Sequence, residues 1–185
     1  MPADLLTTDE YALVTAVATL ASTALSPAAR VVLAQGRLLT PAPWPCSGAP
    51  RRGAPGRCHR NALRVARLLP GVYVEGYALT ADGMARAHAW CATADGIVLD
   101  PDGMARAYLG VPMAPEFVCA VQQRTLTKTR FRGLLDVDVQ ARDAGRIFQG
   151  GVPLYAMRDV GRIPPDPFQR PLTSAACRLG PCCER

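Results

Sequence analysis

Apolar residues recur at helical spacing near the start of the chain. Leu13, Val14, Val17, Leu20 and Ala21 would share one helix face, and their expected role is packing. Thr7 or Thr8 can cap this helix, with Glu10 in its first turn. Ser26-Pro27 marks a second helix start, with proline at the first helical position; it should run to about Gln35 and stop at Gly36. Residues 40–57, TPAPWPCSGAPRRGAPGR, hold too many prolines for any regular element. A large aromatic in a loop usually packs on something, so Trp44 favours a loop laid over the candidate site rather than a mobile tether. From Cys58 the helical period returns. Cys58, Ala62, Val65, Ala66 and Leu69 fall on one face, Arg60, Arg64 and Arg67 on the opposite one, and Pro70-Gly71 ends the helix.

The period then changes to two. Gly71–Leu79 is a β-branched and aromatic run, Asp82-Gly83 a turn, Ala85–Thr93 a second strand and Ile97–Asp100 a third. Two registers are open for the last pair. A two-residue Asp95-Gly96 turn pairs Cys91 with Asp100 and puts Asp100 on the face opposite His88. A three-residue loop ending in Gly96 pairs Thr93 with Ile97 and Trp90 with Asp100, so that His88, Trp90, Val98 and Asp100 share a face. Glycine as third residue suits the longer loop, because that position is left-handed.

Beyond this hairpin the signals thin out. Met104–Leu109 reads as a strand ending at Gly110, Pro112–Pro115 as a loop, and Glu116–Val121 as a strand or short helix. Leu134–Phe148 reads as a helix broken by Gly150-Gly151, and 165–185 as a peripheral tail. The hexapeptide DGMARA occurs at Asp82–Ala87 and Asp102–Ala107, but its flanks differ and twenty residues is short for a repeat unit. The expected organisation is one domain over 1–185: N-terminal helices in 1–39, a loop in 40–57 and a core in 58–110.

The charge is uneven. The formal net charge is +6, carried by arginine with Lys128 as the sole lysine, and residues 26–70 hold eight arginines and no acidic residue. Such a segment would attract an anionic partner. No aromatic interleaving or nucleic-acid motif accompanies it, which argues against nucleic acid. Seven cysteines (46, 58, 91, 119, 177, 182, 183), no basic leader at Met1–Glu10 and an apolar run at Tyr11–Leu25 too short for a bilayer predict a cytoplasmic protein with reduced thiols. Cys177, Cys182 and Cys183 lack a second pair and a nearby histidine, so no metal or other cofactor is expected.

The candidate chemistry sits in the core. The chain has two histidines, His59 and His88. Cys58 opens a helix, where unpaired N–H groups and the helix dipole lower a thiol pKa. His88 and Asp100, in the longer register, could orient one another beside it. Each residue alone has a structural reading: a packed cysteine, a core histidine satisfied by Asp100, Trp90 as core, Glu75 as an ordinary exposed strand residue. His59 lies about 100° round the helix from Cys58 and is expected not to face the same substrate.

The ordered set GRCHRNALRVARLLPGVYVEGYAL, AHAW and DGIVLDP resembles the core of the transglutaminase-like family over about 50 of the 185 residues. In that family a cysteine opens a helix, a strand ends in Gly-Tyr, a His-Ala-Trp strand follows, and Asp-Pro closes the next; Gly76-Tyr77, His88-Ala89-Trp90 and Asp100-Pro101 match. The resemblance implies an α+β papain-like fold, N-terminal helices packed on an antiparallel sheet. It implies Cys58 as nucleophile, His88 as base and acid, and Asp100 as orienting group. The backbone N–H of Cys58 would be one oxyanion donor, with Trp44, Trp90 and Arg57 as candidates for oxyanion or substrate contact. The expected activity is acyl transfer from an amide through a thioester, to water or an amine, on a protein or peptide substrate, with the arginines of residues 51–67 favouring an acidic one. Two rivals stand beside it: a fold of this kind that only binds a partner, and an anion- or nucleic-acid-binding protein using the arginine-rich segment.

Overall fold

Thr7 caps the first helix as the spacing predicts. In this computed structural model, which describes residues 5–23, 25–48, 50–125 and 132–165, its side chain accepts from Glu10 N–H while Glu10 accepts from the Thr7 N–H. The helix, α1, spans Thr8–Ser22, and α2 follows at Pro27–Gln35, ending at Gly36. Glu10 is buried and also pairs with Arg162, so the cap ties the start of the described chain to its far end. The third helix, α3, is Cys58–Leu68.

Five strands form one antiparallel sheet: β1 (Arg37–Leu39), β2 (Val72–Leu79), β3 (Ala85–Ala92), β4 (Val98–Leu99) and β5 (Ala107–Met113), in the order β1-β5-β2-β3-β4. The protein is therefore α+β. The sequence pattern does not reveal β1, whose three residues are held by pairing with β5 through Arg37–Gly110, Leu38–Leu109 and Leu39–Tyr108. Nor does it place the end of β5, which runs through Gly110 to Met113 instead of stopping. Pro112 is tolerated because its carbonyl points away from β2, to the N–H of Arg158; its missing N–H would point the same way, so no bond to β2 is lost.

Side chains alternate across the sheet. One face packs Tyr73, Tyr77, Ala89, Cys91, Leu109 and Val111 against α1, α2 and α3. The other carries a smaller cluster with Val74, Trp90, Val98, Tyr108 and Val160. Since both faces are covered, all of β2 is buried. α4 (Pro115–Thr125) resolves the strand-or-helix ambiguity at 116–121 as helix. The helix expected over 134–148 is instead two, α5 (Val137–Arg142) and α6 (Arg146–Gly150), broken where Ala144 and Gly145 take left-handed φ values of 55° and 67°. The tail from residue 166, with Cys177, Cys182 and Cys183, lies outside the described residues. Among the described residues no helix is long and apolar enough to cross a membrane.

Candidate active site

The β3–β4 hairpin adopts the longer register. Cys91 pairs with Leu99 and Ala92 with Val98, the Thr93 N–H donates to the Ile97 carbonyl, and Gly96 has φ 78°. Continuing the ladder sets Trp90 opposite Asp100 and puts His88 and Asp100 on one face, where His88 Nε2 meets Asp100 Oδ2 at 2.8 Å. Asp100 is only 4% exposed. It also accepts from the Tyr108 hydroxyl at 2.9 Å and from the Asp102 N–H at 3.0 Å. Tyr108 in turn accepts from the Ala105 N–H. A carboxylate held on three sides fixes His88 with its Nε2 protonated and leaves Nδ1 as the nitrogen for a partner.

Cys58 interacts with His88 through hydrogen bonding and charge. Burial alone would raise its thiol; hydrogen bonding and charge from His59 and His88 more than reverse this and bring it from an ordinary 9.0 to about 6. Burial likewise works against the charged form of His88. Asp100, followed by the thiol, overcomes it and lifts the ring from 6.5 to about 10. Both shifts favour a thiolate at Cys58 and an imidazolium at His88. The sulfur stands at the first turn of α3, a helix that packs chiefly against β3, and β4 pairs only with residues 91 and 92, so the flank of β3 beside His88 is open to it.

Two expectations are corrected here. His59 acts on the sulfur through hydrogen bonding and charge, although it lies round the helix from Cys58. Glu75 is not an exposed strand residue. It is 3% exposed and accepts from the Leu134 and Leu135 N–H groups at 2.7 Å each and from the Tyr73 hydroxyl at 2.9 Å. The Tyr73 proton is thus committed to Glu75, so the hydroxyl accepts from His59 Nδ1, 3.1 Å away. Burial lowers the His59 pKa, but the Glu75 charge and the thiol outweigh it and raise the ring above 6.5.

The other candidates separate. Trp90 is wholly buried, stacked on His88 at 6.0 Å and tilted on Tyr108 at 4.9 Å, so it supports the histidine from beneath and cannot touch substrate. Trp44 packs on the main core with the Arg52 guanidinium 5.6 Å above its ring. Arg57 caps α3 with no side-chain bond and is exposed next to Cys58. The 40–57 loop is pinned to α3: buried Asn61 donates to the Ala54 carbonyl at 2.9 Å and to Asp102 at 2.8 Å, and Arg64 donates to the Arg51 carbonyl. Through Asp102, Asn61 also links the loop to the turn that holds Asp100.

No protein-family model, curated protein or solved structure matches this chain.

Proposed function

We propose that the protein is a cysteine-dependent hydrolase or acyltransferase with a papain-like, transglutaminase-like core, acting on an amide through a thioester. The observation that carries this reading is the His88–Asp100 pair, a buried carboxylate 2.8 Å from the ring, beside a thiol that His59 and His88 together lower to about 6. In the proposed reaction the Cys58 thiolate attacks the amide carbon, forming a C–S bond and an oxyanion that the Cys58 N–H can meet at the helix start. His88 passes its Nδ1 proton to the departing nitrogen as the C–N bond breaks, leaving a thioester. Water or an amine then adds to the thioester, His88 takes its proton, and the C–S bond breaks to return the thiolate.

The substrate in this reading is a peptide, an isopeptide or a glutamine side chain in an acidic context. Arg51, Arg52, Arg57 and Arg60 are all exposed around the helix start that bears the sulfur and would favour such a context. A mixture of acidic peptides incubated with the protein and read by intact mass tests it. The expected product is an acyl adduct on Cys58, released by hydroxylamine and missing from Cys58→Ala. Adduct-free protein with unconsumed peptides would favour a binding role, and peptide binding that survives Cys58→Ala but not Arg51/Arg52/Arg57→Ala would favour simple anion recognition.

A further inference from the structure

The thiol is served by two histidines, and only one is used by a Cys-His-Asp mechanism. His59 is the other, and it is not left to chance. Its Nδ1 is bound to Tyr73, Tyr73 is bound to Glu75, and Glu75 is locked by two backbone N–H groups of a segment 59 and 60 residues further along the chain. Glu75 is a buried carboxylate whose one ion pair among the described residues is with His59, at 3.9 Å. Isolated buried carboxylates are costly, so this charge favours a proton on the neighbouring ring. Gly133 closes the arrangement: a Cβ there would stand 2.1 Å from Glu75 Oε1 and 2.5 Å from His59 Cε1. The groups acting on His59 are thus Glu75 and Tyr73 from β2, Cys58 beside it on α3, and His88 from β3.

We propose that His59 is a second cation at the Cys58 sulfur, seated on the buried Tyr73–Glu75 pair, so that the thiolate is met by two positive groups, His88 and His59, in the resting protein and again when the C–S bond breaks. This rests on the reading of Cys58 as nucleophile. It assigns the two rings different work. His88 cycles its proton through leaving group and acceptor, while His59 keeps its own and stabilises the thiolate each time the C–S bond breaks. His59 acts on the reacting sulfur through hydrogen bonding and charge; Tyr73 and Glu75 act through it as positioning residues.

The test is iodoacetamide modification of Cys58, followed by peptide mass spectrometry near pH 5, in the full chain and in His59→Asn, His88→Asn and Tyr73→Phe. Wild type should react faster at Cys58 than at exposed Cys46. His59→Asn should slow Cys58 about tenfold, the change that a one-unit rise in thiol pKa gives below that pKa. Tyr73→Phe removes a single oxygen from the core and should slow Cys58 in the same direction by less. A fast wild type with a slow His88→Asn but an unchanged His59→Asn overturns the second cation and spares the nucleophile; a wild-type Cys58 no faster than Cys46 overturns both. In unmutated protein the ring ¹⁵N spectrum has two histidines to assign. Capping Cys58 should lower the titration midpoint of His59 as well as that of His88, and a His59 midpoint unmoved by capping contradicts the proposal even if His59→Asn does not fold.

Discussion

His88 and Asp100, twelve residues apart, meet at 2.8 Å across a hairpin whose three-residue loop sets their shared face. A one-residue change of register would send Asp100 to the other side of the sheet. The site thus depends on a turn, and Gly96, at φ 78°, is the residue that permits it.

Asp100→Asn keeps the shape but offers His88 an amide in place of a charge. Turnover of the acyl substrate should fall by about 10³–10⁴-fold, as for a misoriented imidazole. The same variant carries a stability signature. Wild-type His88 is raised from 6.5 to about 10, so its protonation stabilises the fold fully below pH 6.5 and ceases to do so as pH rises through 10. The gap in thermal midpoint between wild type and Asp100→Asn should be wide at pH 6 and narrow above pH 10. A gap that is constant with pH would contradict the assignment.

Glu75→Gln exchanges one acceptor oxygen for an NH₂ group facing backbone donors. Leaving one of the Leu134 or Leu135 N–H groups unpaired should cost about 1–3 kcal/mol, read from urea unfolding at neutral pH. A variant as stable as wild type would mean that the 134–135 segment does not depend on this carboxylate.

Gly76→Ala probes the sheet beneath the site. A Cβ at residue 76 would lie 2.2 Å from the Leu109 carbonyl oxygen and 2.4 Å from the Gly110 Cα, where only backbone could give way. Gly76 is also the cross-strand partner of His88. The substitution should lower stability by roughly 1–3 kcal/mol or more, as overpacking against backbone does, and disturb the His88–Asp100 pair. Unfolding midpoints together with the ring ¹⁵N shifts of His88 check both effects.

Asn61→Ala should free the 50–57 loop and also release Asp102, whose N–H helps hold Asp100. Limited proteolysis by trypsin at Arg51, Arg52 and Arg57 is expected to accelerate, because the Asn61 bonds to Ala54 and Asp102 hold this stretch on α3. Unchanged cleavage would show that Arg64 and Trp44 suffice to keep the loop in place.

The parts of this fold legible in the sequence are those set by neighbouring residues. The Thr7 cap, the stop at Gly36, the Cys58 helix and the Gly96 loop all follow from local chemistry, and the last carried the His88–Asp100 pairing with it. What could not be read depends on distant partners. β1 exists through β5, and the burial of Glu75 comes from Leu134 and Leu135. The coupling of His59 to the sulfur depends on Glu75 and Tyr73 from β2, which the helical angle between residues 58 and 59 does not show. One signal was available: Tyr73 and Glu75 sit two apart on β2, so they share a face and could have been suspected of holding a histidine. At the break, Gly145 inside the expected helix was the one signal, while a left-handed φ at Ala144 is rare.

The most direct measurement is the pH profile of Cys58 alkylation in wild type and His88→Ala. Wild-type Cys58 should gain reactivity around pH 6, ahead of exposed Cys46 and of buried Cys91, whose thiol burial pushes up to about 12. His88→Ala should move the Cys58 profile upward, towards the ordinary 9.0. A wild-type profile already at that ordinary position, or one that His88→Ala leaves in place, would contradict the thiolate–imidazolium pair on which the proposed chemistry stands.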